Sequence, residues 1–184
     1  MRAIAVIVFL LCLTGCQSSG HVTPTPAWMA PLPAGFSYYY GNSTEPHYII
    51  KDFSGMLPAR VVLSYEVVGN GQLLAVDGGS PPTVSLILWR KGDDMTCLGV
   101  YQQYRYYGHP RGTLSPGTYT LEVPVDPAAW TDCYGKPGSD FPDRFNGTVD
   151  NLWKIGFGFG GYSAGHGVRA PQGNVMFRVI GFYP

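Results

Sequence analysis

The chain has 184 residues, with 25 glycines and 16 prolines that exclude long helices as its main element, and 13% charged against 45% hydrophobic and 14% aromatic residues. That balance supplies a core and excludes both intrinsic disorder and a coiled coil. Twelve Lys and Arg offset twelve Asp and Glu, and no basic run occurs, which excludes the electrostatic footprint of a nucleic-acid binder; the length fits one domain.

In chain order, Met1 and Arg2 precede an apolar run from Ala3 to Leu13, followed by Thr14, Gly15 and Cys16. Eleven such residues rise about 16 Å as a helix, against roughly 30 Å of bilayer hydrocarbon, so the run reads as the core of a cleaved signal peptide over residues 1–15. Residues 13–16 resemble the lipobox of bacterial lipoproteins. The resemblance implies that Cys16 receives a diacylglycerol, becomes the new N-terminus and is further acylated, with palmitate as a natural chain. Multiple acyl chains anchor stably where one is marginal. Gln17, where the family's sorting rule places Asp for inner-membrane retention, implies the outer membrane. Residues 16–34 then form a lipidated, Pro-rich tether with Pro24, Pro26, Pro31 and Pro33. Eighteen residues of it reach at most about 55 Å at roughly 3.1 Å each. Trp28 and Met29 interrupt it, either to dip into the lipid interface or to pack on the domain edge.

The folded domain is expected over residues 35–184. Cys12 leaves with the signal and Cys16 is lipidated, so Cys97 and Cys133 remain to pair in an oxidising compartment. From Tyr38 onward the pattern alternates with period two between turn clusters, predicting strands at 47–53, 60–68, 72–76, 84–90, 98–107, 118–125, 153–159 and 174–182. In the clearest, Val61, Leu63, Tyr65 and Val67 share an inward face. Tyr119, Leu121, Val123 and Val125 repeat this, as do Ile155, Phe157 and Phe159, whose strand carries Gly156, Gly158 and Gly160 on its other face. One helical turn is expected after Asp126, its cap, with Pro127 at the first position. Residues 77–83 and 134–148 read as loops. The expected fold is therefore all-β: an antiparallel β-sandwich of about eight strands with one short helical turn, a jelly roll before an immunoglobulin-like arrangement.

The order of Gly117 to Val123, Trp130, Ile155 to Gly161 and Gly165 to Val168 resembles the galactose-binding-like and carbohydrate-binding jelly rolls of secreted bacterial proteins, over residues 60–184. That resemblance implies a glycan ligand and, in many such domains, a structural calcium. Within 98–107, if Leu98 and Val100 face the core, Tyr101, Gln103, Arg105 and Tyr107 point outward together. Rings stack on sugar C–H faces while amide and guanidinium groups bind hydroxyls, so this face is the candidate ligand platform. An ordinary solvated strand has the same pattern.

Other motifs fail on context. Residues 161–165 match Gly-x-Ser-x-Gly, with Ser163 beside His166, but a hydrolase elbow needs a following helix and later acid and histidine, which 167–184 lack. Gly156, Gly158 and Gly161 match a dinucleotide fingerprint with no helix to receive a pyrophosphate. Asp93, Asp94, Asp140 and Asp143 follow no calcium-loop pattern, and the histidines lack ligand spacing. No metal, cofactor, catalytic residue or nucleic-acid partner is expected. The expected function is an outer-membrane-type lipoprotein whose non-catalytic sandwich binds a glycan. Alternatives are a structural or assembly lipoprotein docking on another envelope protein, and, behind both, a hydrolase.

Overall fold

The computed structural model describes residues 37–40, 48–53, 56–78, 80–94, 96–161 and 165–183. The expected signal segment, Cys16, the expected tether and Ser163 lie outside them. Eight strands of four or more residues form two facing sheets: β1 (Ser37–Tyr40), β2 (Tyr48–Asp52), β3 (Arg60–Gly69), β5 (Thr83–Arg90), β6 (Arg105–Gly108), β8 (Gly117–Pro124), β10 (Leu152–Gly160) and β12 (Val175–Tyr183). Shorter pieces are β4 (Leu74–Ala75), β7 (Gly112–Thr113), β9 (Trp130–Asp132) and β11 (Val168–Arg169). One sheet runs β1-β12-β3-β8 and the other, six-stranded, runs β2-β10-β5-β6-β9 with β7 also paired to β5, all antiparallel. Numbering the eight longer strands in sequence gives orders 1-8-3-6 and 2-7-4-5. This interleaving is the double Greek key of a jelly roll.

The core lies between the sheets because the period-two apolar residues face one another. Val61, Leu63, Tyr65 and Val67 of β3, Leu121 and Val123 of β8, and Phe177 and Val179 of β12 are buried against Val84, Leu86 and Leu88 of β5, Ile155, Phe157 and Phe159 of β10, and Tyr106 of β6. Phe177 is the hub: its ring lies 4.9 Å from Tyr65, 5.8 Å from Phe157 and 4.9 Å from Phe159. Tyr65 satisfies its phenol by donating to Thr113 O at 2.7 Å, and Gly112 makes room for it, since a Cβ there would collide with Tyr65 Oη. A register shift between Val179 and Gly181 returns Phe182 to the core. On the outer side of the four-stranded sheet, Arg60 pairs with Glu122 and Arg178 with Glu66, as a solvated face requires.

Strand β5 is buried on both faces, which its near-continuous apolar run Val84 to Trp89 reflects. Its second face holds Ile87 and Trp89 with Tyr107, packed by Cys133. Cys133 is bonded to Cys97, so the expected disulfide is present, with Cα atoms 5.9 Å apart. The turn at Asp126 also forms, as a 3-10 helix over Pro127–Ala129 whose Ala128 N–H donates to Asp126 Oδ1 at 2.8 Å.

Two expectations are corrected. Residues 98–107 are not one strand: Gly99–Gln103 is a 3-10 helix, and only Arg105–Gly108 is extended. Cys97 and Gly99, both at φ 57°, turn the chain at the disulfide and end the alternation there. Residues 134–148 are not all loop, because Pro142–Asp150 forms an α-helix, α1. Its Gly, Asn and Asp content is poor for a helix, but burial of Phe145 and Thr148 overrides propensity. Phe145 meets the Tyr106 ring edge-on at 5.1 Å and closes one end of the core.

Candidate functional site

The four residues of the expected platform do not share an exposed face. Gln103, Arg105 and Tyr107 are buried and Tyr101 is half-buried, whereas Leu98 and Val100, expected inside, are 63% and 65% exposed. Within β6 the parity is as expected: Tyr106 faces the core, and Arg105 and Tyr107 face away. That second face is itself covered. Arg105 Nε donates to Asp93 Oδ2 at 3.0 Å, and this pair is buried. Burial works against the Arg105 charge, but Tyr107 and Asp93 outweigh it and hold its pKa above the ordinary value. Arg105 and Tyr107 are thus structural: they lie on the outward face of their sheet under a third layer that includes Asp93 and Cys133, which the alternation in the sequence does not reveal.

Beside them lies an open cleft of about 580 Å³, lined by Arg90, Gly99, Val100, Gln102, Gln103, Tyr104 and Arg144. Three elements meet here. The end of β5 supplies Arg90, the 3-10 helix supplies the residues around Gln102, and the first turn of α1 supplies Arg144. The Arg90 guanidinium sits 4.6 Å from the centre of the Tyr104 ring, which Tyr101 meets edge-on at 5.3 Å. Arg144 stacks on Phe141 at 4.8 Å and donates to Gln103 Oε1. Gln103 is fixed in turn, because the buried Thr148 hydroxyl donates to its carbonyl at 2.9 Å. So Gln103, expected as a ligand contact, positions Arg144 instead. Cys133 N–H donates to Gln102 O at 3.2 Å, which ties the 3-10 helix to the disulfide.

Both guanidiniums also act on Tyr106 beneath the cleft. Burial, with the Asp132 carboxylate, pushes the Tyr106 phenol up to about 12, while Arg144 and Arg90 pull against that shift. No carboxylate lines the cleft, and neither Arg90 nor Arg144 has an acidic partner among the described residues. A pair of cations beside rings and amides is an arrangement that can bind and orient a ligand. From the sequence, Tyr101 and Gln103 lay near this site by composition. Arg90 and Arg144 were missed, since they lie 54 positions apart and one sits in an expected loop.

The glycines 156, 158 and 161 belong to β10 and the bend after it, with β11 rather than a helix following. His166 is exposed. Asp93 is spent on Arg105, and Asp94 caps its own turn by accepting from Thr96 N at 2.9 Å. No group of three or more His, Cys, Asp or Glu that could hold a metal occurs among the described residues.

No protein-family model matches the sequence, and no curated protein matches it. Among solved structures, one described as a proposed glycoside hydrolase of Bacteroides thetaiotaomicron VPI-5482 is similar at a TM-score of 0.38 and 10% identity, the match covering 82% of this chain and 48% of that one. This chain thus spans about half the length of that structure, and a likeness of that size says nothing about activity or ligand.

Proposed function

We propose that the protein is a lipid-anchored, non-catalytic binding module of the bacterial cell envelope, of outer-membrane type, whose jelly roll engages a glycan in the cleft between the 3-10 helix and α1. The cleft carries the reading. Its half-buried Tyr104 and Gln102 and its two guanidiniums give ring surface and hydrogen-bond donors together, which a hydroxyl-rich ligand needs. Glycosidase chemistry calls for two carboxylates flanking the bond, and the lining offers none. The lipobox and Pro-rich tether at residues 13–34 supply the anchoring half of the proposal.

The full-length protein in detergent, applied to a glycan array, tests it. A glycan hit is expected that weakens in Tyr104→Ala by about 1 kcal/mol, or about fivefold in affinity. An array with no hit, or hits indifferent to Tyr104→Ala, refutes the site. A second reading, docking on another envelope protein, draws on Leu98, Val100 and Tyr134, which are 63%, 65% and 58% exposed around the disulfide. In that case Leu98→Asp, outside the cleft lining, abolishes co-purification of a membrane partner and leaves glycan hits unchanged.

A further inference from the structure

We infer that the cleft selects an acidic glycan, one bearing a carboxylate or a sulfate ester, and that Arg90 and Arg144 together receive the oxyanion. The inference rests on the glycan reading above and adds the ligand's charge to it.

Charge pairing across the domain points this way. Arg60, Arg105 and Arg178 each face a carboxylate within 3.0 Å. Arg90 and Arg144 do not, although they share one cleft and like charges repel. Their placement is built. Residues three apart lie on one face of a helix, and Gly147, three after Arg144, leaves Arg90 Nη1 beside α1, 3.5 Å from where a Cβ would stand. The two forks therefore approach the same helix face from different elements. Each is held from behind, Arg90 by the Tyr104 ring and Arg144 by Phe141 and Gln103. Lys136 adds a third cation near Phe141, with Nζ 5.9 Å from the centre of that ring and its backbone N–H donating to Asp132 Oδ1 at 2.9 Å. Pre-positioned guanidiniums match a planar carboxylate or a sulfate through paired N–H donors. A neutral sugar would leave both charges uncompensated in the complex.

The test uses the full-length protein in detergent with polygalacturonate, its full methyl ester, dextran sulfate and dextran, read by calorimetry. Binding of an acidic polymer is expected, falling with salt, with the uncharged counterpart at least tenfold weaker. Preference for polygalacturonate or for dextran sulfate names the oxyanion, and either supports the inference. Arg144→Gln, at an exposed position and checked by its melting curve, is expected to lose on the order of tenfold in affinity. Arg144→Lys keeps the charge without the fork and falls between. Arg178→Gln, on the opposite sheet, leaves binding unchanged. Equal binding of polygalacturonate and its ester, with Arg144→Gln indifferent, overturns the acidic preference and leaves the glycan reading standing. Failure of every glycan overturns both. Equally tight binding to duplex DNA or phosphatidylglycerol vesicles also overturns it, since the cleft would then be a general polyanion site.

Discussion

His109 shows how single side chains couple this fold to pH. Its ring is half-buried and Nε2 lies 3.0 Å from Thr131 Oγ1. Burial, joined by the Arg111 charge, lowers its pKa below the ordinary value. In the unfolded chain a histidine titrates near about 6.5. Between that value and the lower folded one, the unfolded state binds more protons, so stability rises with pH across the window. The contribution is complete above about 6.5 and is lost as pH falls through the window toward the folded value. The melting temperature of the native protein is therefore expected to drop more steeply from pH 7 to pH 5 than that of His109→Gln. Parallel slopes for the two proteins would show that the ring titrates alike in both states. The buried Asp93–Arg105 pair follows a different rule: removing one partner strands a charge, so Arg105→Ala is a folding lesion rather than a probe of binding.

Among elements, the disulfide loop decides what the cleft looks like. Cys97 and Cys133 close a loop of 36 positions, for which chain entropy gives about 4 kcal/mol. The double variant Cys97→Ser with Cys133→Ser is expected to lose about that much in urea unfolding. It should also weaken glycan binding more than Arg178→Gln does, because the bridge anchors the 3-10 helix through Cys133 and Gln102. A midpoint unchanged by the double variant would show that the loop is already fixed by the Trp89 and Tyr107 packing beneath it. The same segment marks where the sequence stops being legible. Strands β3 and β8 were readable because each has one face on the core, so burial writes itself as alternation; β10 is buried on both faces from Ile155 on, and its period shows only because glycines alternate with Ile155, Phe157 and Phe159. Residues 98–107 carry the same composition, but a disulfide turn breaks their period and a third layer covers their outward side, so Arg105 and Tyr107 read as surface. Helix α1 left only Pro142 at its first position and Asp143 in its first turn as signals. Its decisive contact, Phe145 on Tyr106, joins residues 39 positions apart and leaves no local trace.

For the whole molecule, the proposed function requires something that holds the sandwich at a membrane. The described residues contain no helix long and apolar enough to cross one. The outer side of the four-stranded sheet carries the Arg60–Glu122 and Arg178–Glu66 pairs, which suit water rather than lipid. Attachment in the proposed function thus depends on Cys16, upstream of the domain. Cells grown with labelled palmitate are expected to mark the native protein and leave Cys16→Ser unmarked. The native protein should sediment with membranes and stay there in high salt, because several acyl chains anchor by burial and not by charge. Cys16→Ser should be found either as an uncleaved precursor or released, with its sandwich and its Cys97–Cys133 bridge intact, since neither depends on the lipid. Label on both proteins would place the acyl chain elsewhere. Label on neither, with the native protein still sedimenting, would move the anchor into the sandwich and make its exposed Leu98, Val100 and Tyr134 the contact surface.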